Sequence, residues 1–139
     1  MVSKSTIQFL TVCTRNKQCI LANQRAHESL VSAWHSADQW KVGKYVIMPD
    51  HLHLFCTPTK HESVSLVKWV HYWKSLSSKT MPARLERPIW QKEYWDRALR
   101  SAESYSQKWD YVQQNPVRAG LVEDSNKWPY QGELTEFGL

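Results

Sequence analysis

At 139 residues the chain fits one domain, long enough to bury a core and too short for two ordinary ones, so one active site is expected. An apolar fraction of 42%, a charged fraction of 22% and only 4 Gly and 6 Pro exclude a low-complexity chain. No apolar run approaches the roughly 20 residues a membrane helix needs, and the N-terminal stretch lacks an apolar segment with a small-residue cleavage site, which predicts an intracellular protein without a membrane partner.

Cys13, Cys19 and Cys56 are odd in number and lack CxxC spacing, which argues against a disulfide framework or a thiolate zinc site and predicts buried thiols. The formal charge of +5 and pI of 9.2 suit a polyanionic partner without requiring one. Eight tryptophans are many for this length; most are expected in the core, although indoles interleaved with Lys and Arg also suit unpaired bases.

Residues 5–14 are β-branched and alternating, and polar Arg15 to Gln18 end a first strand. Over 22–40, Ala26, Leu30, Val31, Trp34 and Ala37 recur at helical spacing, with Gly43 breaking the pattern afterwards. Residues 44–48 and 51–57 read as two strands of a hairpin turning at Pro49-Asp50. Over 63–77, Leu66, Val67, Trp69, Val70, Trp73 and Leu76 form one helical stripe, with Lys68, His71, Lys74 and Ser75 off it. A charged connector (82–88), an aromatic-rich strand (89–99) and a helix over 101–115, capped by Ser101 or Ser104, follow. The order predicts an α+β fold, a ferredoxin-like βαββαβ antiparallel sheet with an extra C-terminal helix. The core is expected over about 5–122, and the weakly periodic segment 123–139 is expected to pack loosely.

In the strand His51-Leu-His-Leu-Phe-Cys56, alternation puts Leu52, Leu54 and Cys56 on the face that meets the helices and His51, His53 and Phe55 on the other. The imidazoles are then separated by about 7 Å at Cα, a distance from which two rings converge on one ion. A His-x-His pair also occurs by chance on exposed strands, so it needs support. On the last helix Tyr105, Trp109 and Val112 share a buried stripe at about 100° per residue, whereas Tyr111 points away from it. Asn115, four residues on, lies on the same side as Tyr111, and Pro116 ends the helix there. On this helix alone, a surface tyrosine and a C-capping Asn are the favoured reading.

The stretch Tyr45-Val-Ile-Met-Pro-Asp-His-Leu-His-Leu-Phe55, followed by Tyr111-Val-Gln-Gln-Asn-Pro-Val-Arg-Ala-Gly-Leu-Val122, resembles the REP-associated branch of the single-tyrosine HUH transposases. Trp90-Gln91 and Tyr94-Trp95-Asp96-Arg97-Ala98-Leu99-Arg100 resemble that family's fourth strand, so the likeness runs from about Thr6 to Val122. Asp50 departs from the Asn more usual before the first His, and the short tail is a second departure.

The resemblance implies that His51 and His53 are metal ligands, that Asn115 matches a third, amide-bearing ligand, and that Tyr111 is the nucleophile. It implies a Mg²⁺- or Mn²⁺-dependent enzyme that cuts and rejoins hairpin-forming or palindromic single-stranded DNA through a phosphotyrosine, cytoplasmic and nucleoid-associated, of bacterial type, acting as a monomer or homodimer. Arg97, Arg100, Lys108, Arg118 and Lys127, and Lys68, His71 and Lys74 of the second helix, are candidate phosphate contacts, with a solvated charged face as the alternative. A non-cleaving DNA-binding module and a water-using metal-dependent phosphodiesterase are the competing readings.

Overall fold

The computed structural model describes residues 6–60 and 62–138. Its elements are β1 (Ile7–Cys13), α1 (Gln24–Ser36), β2 (Trp40–Ile47), β3 (His51–Pro58), α2 (Leu66–Thr80), β4 (Trp95–Leu99), α3 (Ala102–Gln113), the short α4 (Asn115–Arg118) and β5 (Gln131–Glu133). The strands form one antiparallel sheet in the order β4-β1-β3-β2-β5. The first four strands reproduce the expected ferredoxin-like arrangement. No helix among the described residues is long and apolar enough to cross a membrane.

Side-chain alternation divides the core into two layers. Leu10 and Val12 of β1 and Leu52, Leu54 and Cys56 of β3 pack with Leu30 and Trp34 of α1 and Trp69 and Trp73 of α2. On the opposite face Phe9, Val46 and Phe55 pack with Tyr105, Trp109 and Val112 of α3. The second face is therefore partly roofed by α3, which leans Tyr105 against Phe55 at 4.6 Å between ring centroids. Helix starts are set by side-chain caps: Asn23, Ser65 and Ser101 accept from the backbone amides of Ala26, Lys68 and Ser104.

Several expectations are corrected. The expected strand start at Ser5 lies outside the described residues. The first helix ends at Ser36, and Trp40 opens β2, because the segment from Trp40 to Ile47 pairs with β3. Gly43 lies inside β2 at a register shift between Val42 and Tyr45, where a Cβ would come within 2.7 Å of the Tyr105 hydroxyl. In α2, Val67 faces solvent rather than the core. The fourth strand starts only at Trp95: Trp90 makes an isolated bridge to Thr14, with the Gln91 amide donating to the Cys13 carbonyl, and the Gln91 and Lys92 carbonyls accept from the Lys74 ammonium.

The segment expected to pack loosely does not. Trp128 is buried, donating from Nε1 to the Ile47 carbonyl at 2.9 Å, and β5 pairs with β2. Its apolar anchors are single residues, which a search for periodicity does not detect. Of the three thiols only Cys56 is buried; Cys13 is half-buried and Cys19 exposed.

Candidate active site

His51 and His53 lie on β3, on the face opposite α1 and α2, as the alternation requires. Both are half-buried rather than open, since α3 crosses the same face. Their rings stand edge to face with centroids 5.0 Å apart. His51 Nδ1 is hydrogen-bonded to the Asp50 carboxylate at 2.7 Å, and His53 Nδ1 to the Thr11 hydroxyl at 2.9 Å. With both Nδ1 atoms engaged, each ring keeps Nε2 for a ligand, the arrangement typical of metal-bound imidazoles. Burial, then the neighbouring His51 and Lys108, push the His53 pKa down to about 3, so its ring is neutral near pH 7. Two oriented imidazole donors fit a divalent cation with open positions for oxygen ligands. Among the described residues no three His, Cys, Asp or Glu side chains converge on one ion.

The tyrosines of this region are sorted by their surroundings. Tyr105 is buried; its hydroxyl accepts from the Lys44 amide at 3.1 Å, and burial pushes its pKa up to about 12. Tyr94 is half-buried on the opposite layer, packed with the α1–α2 core, and burial followed by Asp96 raises its pKa. Tyr111, in contrast, is 61% exposed. Its ring lies against two cations, the Arg118 guanidinium at 4.1 Å from the centroid and the Lys108 ammonium at 5.8 Å. The same ammonium sits 4.9 Å over Phe9, which in turn stacks on His53 at 5.2 Å. Lys108 and Phe9 thus link the tyrosine to the histidine pair within one chain.

Asn115 opens α4, and its amide oxygen accepts from Arg118 Nη2, which also donates to the Tyr111 carbonyl at 2.7 Å. The structure groups Asn115 with Arg118 and Tyr111, and its amide is occupied by a guanidinium. Arg97, Arg100 and Lys108 line a 440 Å³ groove together with Tyr111. Lys68, His71 and Lys127 remain solvated, whereas Lys74 is a structural cation holding two carbonyls. Sequence reasoning missed Thr11 and the orienting contact of Asp50. Thr11 becomes visible only through the β1–β3 register, which pairs it with His53.

A sequence model of the family described as "Transposase IS200 like" matches residues 1–115. A REP-associated tyrosine transposase of Escherichia coli K12 is 25% identical over 126 residues, spanning 88% of this chain and 73% of that protein. A putative REP-associated tyrosine transposase of Haemophilus influenzae is 27% identical over 95 residues, 60% of this chain and 53% of that protein. Among solved structures, a REP-associated tyrosine transposase bound to a REP hairpin superimposes with a TM-score of 0.75 at 22% identity, covering 99% of this chain and 92% of that one. A putative transposase of Deinococcus radiodurans follows at 0.58 and 17% identity, covering 81% and 92%. The structural likenesses carry the fold, and the sequence match over residues 1–115 carries the family: this chain belongs to the IS200-like transposases, metal-dependent enzymes that cut and rejoin DNA.

Proposed function

We propose that the chain cleaves hairpin-forming single-stranded DNA with Tyr111 as nucleophile, His51 and His53 as metal ligands, and Asn115 as a third ligand once released from Arg118. The observation that carries this reading is the pair of imidazoles with both Nδ1 atoms held and both Nε2 atoms free, linked through Phe9 and Lys108 to an exposed tyrosine. A bound Mg²⁺ or Mn²⁺ supplies polarisation of the scissile phosphate and offsets charge in the transition state. The Tyr111 hydroxyl gives its proton to solvent as its oxygen bonds to phosphorus, the bond to the 3′ oxygen breaks, and that oxygen takes a proton from solvent and leaves as a hydroxyl. The bond energy is kept in the phosphotyrosine, and attack by a 3′ hydroxyl reverses the step without ATP. Lys108 and Arg118, both against the Tyr111 ring, would hold phosphate oxygens in this reading. Hairpin DNA as substrate is supported by the hairpin-bound relative with the same fold.

Tyr111→Phe is expected to abolish both cleavage and the covalent protein–DNA adduct while leaving binding intact, read by denaturing electrophoresis with labelled single-stranded hairpins from around the gene. A phosphodiesterase activating water would retain cleavage and form no adduct. A binding-only module would cut neither before nor after the change.

A further inference from the structure

Of the eight tryptophans, seven are buried; Trp95 is 54% exposed and belongs to neither core layer. Its place follows from register. Trp95 on β4 is opposite Thr11 on β1, and Thr11 is opposite His53 on β3. Cross-strand partners project to the same face, so Trp95, Thr11 and His53 form one row across the sheet, on the side covered by α3. Two strand spacings, about 10 Å, separate the Cα atoms at the ends of that row. Arg97, two residues along β4 and on the same face, is opposite Phe9 and lines the groove with Arg100, Lys108 and Tyr111, which has no acidic wall residue. One end of the row is therefore a metal-ready imidazole, and the other an indole in water with a guanidinium beside it.

We propose that Trp95 is a stacking platform for an unpaired base flanking the scissile phosphate, with Arg97 against the adjoining backbone phosphate. This rests on the reading of His51, His53 and Tyr111 as the cleavage site, because that reading puts the phosphate at the opposite end of the row. Indole faces bind any base, and a cation beside the ring retains the backbone, the pairing used by single-strand binding surfaces. The competing occupant is a second copy of the chain adding to β4, an edge strand. The exposed charges of Asp96, Arg97 and Arg100 along that edge oppose such pairing.

The test uses hairpin oligonucleotides from around the gene, carrying 2-aminopurine at successive flank positions, bound to the Tyr111→Phe protein. Quenching confined to one or two flank positions is expected, together with a loss of affinity on the order of ten- to a hundredfold in Trp95→Ala, the effect of one base–aromatic stack. Trp95→Phe should recover most of both. An abasic flank nucleotide at the quenched position should weaken binding to the parent protein and leave binding to Trp95→Ala unchanged. Unaltered affinity and quenching in Trp95→Ala would overturn the platform. So would a Trp95→Phe protein as weak as Trp95→Ala, or a Trp95→Ala protein that loses only self-association in sedimentation. Adduct formation by the wild-type chain is scored in parallel: Trp95-dependent binding with no adduct would uphold the platform and reject Tyr111 as nucleophile.

Discussion

His51 and His53 differ in how they are held, and this bears on metal binding. Asp50 places a carboxylate on His51 Nδ1, whereas Thr11 offers His53 a neutral hydroxyl. Replacing either histidine by Ala is expected to lower metal-dependent cleavage by orders of magnitude and to weaken Mn²⁺ binding in calorimetric titration. The fold should survive, at a stability loss of roughly 1 kcal/mol by denaturant titration, because both rings are half-buried. Undiminished cleavage by the double variant in EDTA would reject the metal role. The pair and its face were legible in the sequence, since alternation along one strand fixes both. The partners of the pair were not: Thr11 is 42 residues away and reaches His53 only through strand pairing, which one strand's pattern does not encode. Tyr111 was legible as the residue off its helix's buried stripe. The engagement of Asn115 by Arg118 was not, because it depends on the turn between α3 and α4.

At the scale of elements, the docking of α3 on the second face relies on the absence of a side chain at Gly43. A methyl group there would meet the Tyr105 hydroxyl at 2.7 Å and the Phe137 ring at 2.8 Å. Gly43→Ala is expected to cost about 1–3 kcal/mol in denaturant unfolding, as overpacking does, and to slow cleavage by displacing the helix that carries Tyr111. An unchanged midpoint would show that Tyr105 and Phe137 move aside freely. The seating of α1 on β2 carries a pH dependence. His27 Nε2 is hydrogen-bonded to the Tyr45 hydroxyl at 2.7 Å, and burial lowers its pKa despite Glu28. Because its folded pKa lies below the ordinary value near 6.5, the unfolded chain binds the extra proton first as pH falls. His27 therefore favours folding above about pH 6.5 and loses that contribution as pH drops below it. In metal-free protein, His27→Gln should flatten the fall in stability between pH 7 and 5, measured by urea unfolding. An equally steep fall would assign it to other groups. These long-range contacts were hidden in the sequence, although the helices and strands they join were readable from period and caps.

For the whole molecule, the tyrosine helix packs on its own chain's sheet, with Tyr105 and Trp109 against Phe55. One copy therefore brings Lys108, Phe9, His53 and Tyr111 together without help. Mixing His51→Ala/His53→Ala protein with Tyr111→Phe protein is accordingly expected to restore no cleavage, measured on labelled hairpins. Recovery of activity in the mixture would mean that the helix serves a neighbouring subunit. The two-layered sheet was legible from the strand and helix order, but its fifth strand was not.

That fifth strand has a consequence for handling the protein. A ferredoxin-like sheet of four strands would leave β2 as an open ladder, and this one is closed by the chain's own β5, anchored by Trp128. Tyr45 and Val46, which β5 covers, are apolar and belong to a run that continues through Ile47 and Met48. Loss of β5, by proteolysis or in a shortened expression clone, is expected to bare that ladder and to favour aggregation through strand addition. The short C-terminal strand is in effect a cover for the edge that β2 would otherwise present.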